Sequence, residues 1–285
     1  METPRKPRDD EIDVFGLTHV GRVRTENQDH FLIASIHKRT DLLQTSLSAT
    51  ERLPLGSERL AYLAMVADGV GGGVGGAEAS ATALETALSY VQSSAACYYH
   101  ADGEDEDFIE ELQHAALRCH EAIRAKRDPE AATATMATTL TLFMGVWPAY
   151  YLLQVGDSRY YLLRGGQLTQ VTRDQTMAED LVDSGVFTRS AASESRFAHI
   201  LSSALGADTA APVVTRLPAG WDCVHLLCSD GLTKHVSDAR IAEILGTMTS
   251  AQQACERLRD EALAGGGTDN ITVIVGRLVP SAEPV

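Results

Sequence analysis

The order of its elements predicts an α+β chain in which two β-sheets pack face to face and a pair of helices covers each outer side. Two observations carry this. Strand-like segments come in groups, with two helices early, two helices late and a strand after them. The segments do not alternate as βαβ units, which disfavours a doubly wound parallel sheet. The length, 285 residues, allows a sizeable core in one or two domains.

Residues 13–20 alternate loosely between apolar and polar and read as the first strand. A polar connection, 21–29, leads to a second strand at 30–36. Residues 38–58 lack clear periodicity and read as an exposed hairpin excursion; 60–67 returns as an apolar strand that runs into the glycine-rich loop 69–76. The segment 77–94 is helical, with Leu84, Leu88 and Val91 on one stripe. The acidic run Asp102, Glu104, Asp105, Glu106 and Asp107 suits the N-terminus of a second helix and does not match a calcium loop. Phe108, Leu112, Ala115, Cys119 and Ile123 recur along that helix at helical spacing. Residues 137–172 read as a meander, with turns at Trp147-Pro148 and Gly165-Gly166. Helix and loop mix over 176–205, and strands resume at 213–217 and 223–228. Ser237 caps a helix that Gly246 ends, another runs over 250–264, and 271–275 is the last strand.

The formal net charge is −15, from 39 acidic and 24 basic residues, which argues against nonspecific nucleic-acid binding. No run of about 18 apolar residues indicates a membrane span. Residues 1–10 lack the apolar core of a signal peptide and read as a flexible tail. Of the cysteines Cys97, Cys119, Cys223, Cys228 and Cys255, no two form a CxxC pair, so zinc has no support. Cys223 and Cys228 lie an odd number apart on one strand and face opposite sides. The set reads as reduced core residues of a cytosolic protein.

Chemistry gathers at four strand ends. The run 63–67 ends in Asp68-Gly69, and the run 149–155 ends in Gly156-Asp157. The run 223–228 ends in Ser229-Asp230-Gly231, and Asp269-Asn270 opens the final strand. If those ends share one rim, four carboxylates converge and repel one another unless cations lie between them. Hard divalent ions such as Mg²⁺ or Mn²⁺ take oxygen ligands, and paired ions are a known solution for phosphate-ester hydrolysis.

The ordered set Arg24-Thr-Glu-Asn-Gln-Asp29, Asp68-Gly-Val-Gly-Gly72, Ala137-Thr-Thr-Leu140, Gly156-Asp-Ser-Arg159, Ser229-Asp-Gly-Leu232 and Gly266-Gly-Thr-Asp-Asn-Ile-Thr-Val273 resembles the metal-dependent protein phosphatases (PPM, the type 2C serine/threonine phosphatases), in their compact bacterial branch. The resemblance implies a single α-β-β-α domain of two antiparallel sheets over 12–279, between tails at 1–11 and 280–285. It also implies action on phosphoproteins made by a serine/threonine kinase; a cytoplasmic setting is expected from the cysteines, and a monomer is the expected state. Carried over by motif, Asp68 bridges two Mn²⁺ or Mg²⁺ ions, the Gly69 carbonyl binds one, and Asp230 and Asp269 hold the other. Asp157, with Asp230, matches a third, weaker metal position. Asp29 orients water from behind the ligands, and Arg24 binds phosphate through its planar fork. Residues 176–205 match the mobile flap over the site. Gln28, Val70, Ala137 and Gln175 depart from common family residues. Val70 stands where animal relatives carry a histidine proposed as general acid. None of the departures removes a metal ligand.

The activity implied is hydrolysis of phosphoserine and phosphothreonine by direct attack of a metal-bridging hydroxide, without a phosphoenzyme. Two alternatives stay open: a hydrolase of small phosphate esters, and a non-catalytic phosphoprotein-binding module. Cysteine phosphatases are excluded, because the positions that would carry their phosphate-binding arginine are Gly103, Ala125, Ser229, Lys234 and Glu261. No Walker loop occurs.

Overall fold

Eleven strands and seven helices follow one another in the computed structural model, which describes residues 5–46, 51, 53, 55–71, 74–94, 105–128 and 135–281. In chain order they are β1 (Ile12–His19), β2 (Asp29–Thr40), β3 (Gly56–Val70), α1 (Val74–Ser93), α2 (Asp105–Lys126), β4 (Ala137–Thr138), β5 (Leu140–Val146), β6 (Ala149–Val155), β7 (Arg159–Arg164) and β8 (Gln167–Gln170). Then come α3 (Met177–Asp183), α4 (Arg189–Ser193), β9 (Val213–Pro218), β10 (Cys223–Cys228), α5 (Asp230–Thr233), α6 (Asp238–Gly246), α7 (Ala251–Ala264) and β11 (Ile271–Leu278). One sheet has the order β2-β3-β5-β6-β9, with β4 paired to β3; the other has the order β1-β11-β10-β7-β8. Every pairing is antiparallel.

Alternation along the central strands explains the layers. On β3, Leu63, Met65 and Ala67 join the core beneath α1 and α2, together with Leu84, Val91, Leu112 and Ile123. The intervening Ala64 and Val66 face the layer between the sheets, together with Phe143 of the neighbouring β5, and there they meet Tyr160, Leu227 and Ile274 of the other sheet. β11 does the same from the opposite side. Ile271, Val273 and Val275 pack on Ile241, Ile244, Cys255 and Leu258 of α6 and α7, and Ile274 faces inward. Both faces of β3 and β11 are covered, which is why they read as continuous apolar runs. Three apolar layers separate four structural layers, the helix–sheet–sheet–helix sandwich that the element order predicts.

The structure departs from the sequence reading in three places. The excursion at 38–58 is strand at both ends: β2 and β3 stay paired out to Thr40 and Gly56, past a register shift at Ile36 and His37. Backbone hydrogen bonds, not burial, hold this exposed ribbon, so hydrophobic periodicity does not reveal it; residues 47–50, 52 and 54 lie outside the described residues. The tail expected over 1–11 is docked from residue 5 onward. Glu11 is fully buried, and Arg5 donates to both its oxygens at 2.7 and 2.6 Å. Arg8 N–H and the Ser281 hydroxyl also donate to it, which ties residue 281 of the expected second tail to the first. A carboxylate without access to water requires such partners. The first helix also begins three residues early, at Val74, inside the glycine-rich loop.

Cys119, Cys223, Cys228 and Cys255 are free and buried; Cys97, Asp102 and Glu104 lie outside the described residues. No described helix is long and apolar enough to cross a membrane.

Candidate active site

Asp68 and Asp29 are directly opposite each other where β3 and β2 end at one rim of the first sheet, so their side chains share a face. The Asp68 backbone is fixed by Thr138 and Thr139: its carbonyl accepts from Thr139 N–H and Thr138 Oγ1, both at 2.9 Å, and its N–H donates to Thr139 Oγ1 at 3.0 Å. The glycines beyond it are needed for close approach. A Cβ at Gly69 would run into the Gly76 carbonyl in the first turn of α1, and one at Gly76 would meet Gln28 Oε1 at 2.6 Å. Among the described glycines of this loop, Gly71 takes the positive-φ region that favours glycine, at φ +136°.

The second sheet supplies the rest. Asp230 is the first residue of α5, directly after β10, with Ser229 at the N-cap. Asp269 precedes β11 after Gly266 and Gly267, both at positive φ. Asp157 sits in the turn from β6 to β7, where the chain crosses from one sheet to the other at Gly156 (φ +100°). Asp68, Gly69, Asp157, Asp230, Asp269 and Arg24 all line one cleft of about 1050 Å³. Asp29 stands behind it, only 2 % exposed, with Oδ2 accepting from Ser229 Oγ at 2.7 Å and Thr272 Oγ1 at 2.8 Å.

Crowding of acids shifts their protonation. Burial, with Asp29, Asp230, Asp157 and Asp269 close by, pushes the Asp68 carboxyl well above the carboxylate range. Burial and the neighbouring Asp230 and Asp174 push Asp157 up to about 7. Burial pushes Asp29 up to about 6, against the hydrogen bonds from Ser229 and Thr272. Asp269 goes the other way. Burial would raise it, but Arg24 and Lys234 outweigh that and hold it below the usual range.

Arg24 therefore reaches the site, with its fork engaged by Asp269 at 2.8 and 3.0 Å. Lys234, which the sequence reading did not single out, places Nζ 2.6 Å from Asp230 Oδ2 and 2.7 Å from Asp269 Oδ2. Its only signal in sequence is the i, i+4 spacing from Asp230. Asn270 was also missed as a clamp. Its amide donates to the carbonyls of Val20 and Glu26 at 2.9 Å each, and its Oδ1 accepts from Gln28 N–H, so it folds the Arg24 loop onto the site. His199, from the segment after α4, lines the cleft with 200–204, and Val70 lines it at 40 % exposure.

The donor set suits divalent cations. Its ligands are hard carboxylate oxygens, and among the described residues the buried side-chain atoms without a hydrogen-bond partner are Asp29 Oδ1 and Asp230 Oδ1. No three described carboxylate, imidazole or thiolate groups already stand in metal-holding geometry; Arg24 and Lys234 draw Asp230 and Asp269 to themselves instead. A second cavity, of about 80 Å³, lies between the sheets around Phe143, Tyr150 and His225, and among the described residues no carboxylate lines it.

Known proteins resemble this chain in sequence and in fold. The family profile described as protein phosphatase 2C matches residues 55–265. The serine/threonine protein phosphatase PstP of Mycobacterium tuberculosis is 36 % identical over 219 residues, 77 % of this chain and 41 % of that protein. The serine/threonine phosphatase stp of Listeria innocua is 33 % identical over 141 residues, 49 % of this chain and 56 % of that protein. The chain thus spans about half or less of the length of these curated relatives. The solved catalytic domain of PstP in complex with two manganese ions superposes with a TM-score of 0.71 at 31 % identity, over 94 % of this chain and 99 % of that one. With the family profile over most of its length and the same sandwich beneath its carboxylate rim, the chain belongs to the protein phosphatase 2C family.

Proposed function

We propose that this chain is a metal-dependent phosphatase that hydrolyses phosphoserine and phosphothreonine in proteins. The observation that carries the reading is the convergence of Asp68, Asp157, Asp230 and Asp269 from two sheets onto one cleft, with Asp29 behind them. Asp68, the Gly69 carbonyl, Asp230 and Asp269 would hold two divalent ions, and Asp157 with Asp230 would offer a third, weaker position. When bound, Mn²⁺ or Mg²⁺ supplies Lewis-acid activation of water and neutralises phosphate charge.

The remaining work falls to the chain. Asp29 keeps one oxygen without a partner, placed behind Asp68 to orient the attacking water. Arg24 turns its planar fork from Asp269 to the phosphate oxygens when substrate enters, where charge develops in the transition state. Val70 contributes no proton to the leaving oxygen, because an isopropyl group has none to give. No side-chain nucleophile is required. The described cysteines are buried, and burial pushes the Cys119, Cys228 and Cys255 thiols up to about 12.

The substrates are phosphoproteins produced by a serine/threonine kinase, and the printed names of the relatives support this class. Buried free thiols support a reducing, cytoplasmic setting. All four rim aspartates come from one chain, which supports a monomer as the working unit. The test is phosphate release from phosphoserine, phosphothreonine and phosphotyrosine peptides and from a small aryl phosphate, with and without Mn²⁺. Mn²⁺-dependent turnover with higher kcat/KM on phosphoserine and phosphothreonine peptides is expected. Higher kcat/KM on the small ester favours a small-ester hydrolase, and binding without turnover favours a sequestering module.

A further inference from the structure

We propose that Lys234 is a tethered competitor of the metal ion at the Asp230–Asp269 half of the site, so that this half fills second and sets the metal requirement. The inference rests on Asp230 and Asp269 being metal ligands, as proposed above.

The geometry is specific. Lys234 follows α5 directly, and its Nζ lies 2.6 Å from Asp230 Oδ2 and 2.7 Å from Asp269 Oδ2. An ammonium that donates to one oxygen of each carboxylate stands where an ion ligated by that pair would stand. It is held there, since its side chain is only 23 % exposed and Asp230 is a helical turn away in sequence. Arg24 adds a second chain cation on Asp269. The Asp230–Asp269 pair is thus neutralised internally by one lysine and one arginine.

Asp68 is in the opposite condition. No ion pair to its side chain occurs among the described residues; Asp29, Asp157, Asp230 and Asp269 crowd it, and Arg24 acts on it only through space from its place on Asp269. A divalent ion arriving at Asp68 and the Gly69 carbonyl displaces no chain cation. One arriving between Asp230 and Asp269 must first expel an ammonium. Lysine suits this role because its charge sits on a flexible four-carbon stem that can swing aside without disturbing the backbone. The contact belongs to the tertiary structure: Lys234 and Asp269 are separated by 35 positions.

The test titrates Mn²⁺ alone into the full chain, stripped with chelator and dialysed, by isothermal calorimetry. Wild type, Lys234→Gln and Lys234→Arg are compared. Wild type should bind one ion tightly and a second more weakly. In Lys234→Gln the second dissociation constant should tighten by about tenfold or more, equivalent to about 1.4 kcal/mol, with the first changed far less. Lys234→Arg, which keeps the charge, should retain the weak second step. Thermal unfolding of the same samples provides a readout independent of turnover. Lys234→Gln should lower the Tm of the metal-free protein while enlarging the gain in Tm on adding Mn²⁺. If the second constant is unchanged and Tm falls equally with and without Mn²⁺, Lys234 only braces α5 and the competitor role is overturned. If neither wild type nor Lys234→Gln binds Mn²⁺, the ligand assignment itself fails, and the competitor role fails with it.

Discussion

Asp68 has no ion-pair partner among the described residues and is crowded by acids, while Asp269 has two cations of the chain against it. This asymmetry makes opposite predictions for the two residues. Asp68→Asn should reduce kcat by on the order of 10³-fold or more at saturating Mn²⁺ if, as the resemblance implies, Asp68 is the carboxylate common to both ion positions. It should also raise the Tm of the metal-free protein, since a neutral amide relieves repulsion in a buried cluster. Near-wild-type kcat would remove Asp68 from the metal centre. The raised carboxyls at Asp157 (about 7) and Asp29 (about 6) make a second prediction. Each folded-state value lies above the ordinary 3.8, so between these limits the folded protein holds more protons than the unfolded one. That contribution is fully present below the ordinary carboxylate range and is lost as pH rises through about 6 to 7. In chelator, Tm should therefore fall by roughly 5 °C or more from about pH 5 to about pH 8. A metal-free Tm that rises over this interval would show that these carboxyls are not held protonated.

At the scale of elements, the segment 176–205 is the one that the strand framework does not build. It carries α3 and α4, capped by Thr176 and Thr188, and closes on itself where Thr176 bridges Leu201. Arg173 anchors its near end through Glu179 at 2.9 Å and Asp183 at 2.7 Å. Its far end lines the cleft from His199 to Ala204, beside the carboxylates but contributing none of them. Replacing it with the corresponding segment of a relative should change the order of preference among phosphopeptides by about tenfold while aryl phosphate turnover stays within about twofold. Equal loss on both substrates would make the segment part of the catalytic framework instead. The mixed, Ser- and Gly-containing sequence of 176–205 announced helix and loop without regular strands; the anchoring through Arg173 and the Thr176–Leu201 bridge did not show in it.

Across the whole molecule, the site joins two sheets that otherwise meet through apolar side chains. Asp68 belongs to the first sheet, Asp230 and Asp269 extend from strands of the second, and Asp157 sits at the crossover between them. Between the sheets, Phe143 stacks on Tyr160 at 6.0 Å, and Tyr160 Oη lies 2.6 Å from His225 Nδ1. Ions held by carboxylates of both sheets, as proposed, would bind only the assembled sandwich, which links binding to folding. Mn²⁺ at about a hundredfold its dissociation constant should stabilise the protein by about 2.7 kcal/mol, visible as a Tm gain of several degrees. The gain should vanish in chelator and shrink strongly in Asp230→Asn. An equal gain in Asp230→Asn would mean that the stabilising ion sits elsewhere.

The amino-acid order by itself determined the helix–sheet–sheet–helix layering, because apolar period and turn chemistry are local properties that survive in one dimension. It also determined the rim aspartates, since an apolar run that stops at Asp-Gly, Gly-Asp or Ser-Asp, or starts just after Asp-Asn, marks a strand end whichever strand it later pairs with. What only the tertiary structure decided are the partnerships across distance. Glu11 buried beneath Arg5 and Ser281, Asn270 clamping the Arg24 loop, and Lys234 set between Asp230 and Asp269 each join segments whose separation in sequence carries no period. Such contacts exist only once antiparallel registry has brought the strand ends to one rim. There, burial makes every unpaired charge costly, and the chain's own cations settle on the carboxylates that lie within their reach.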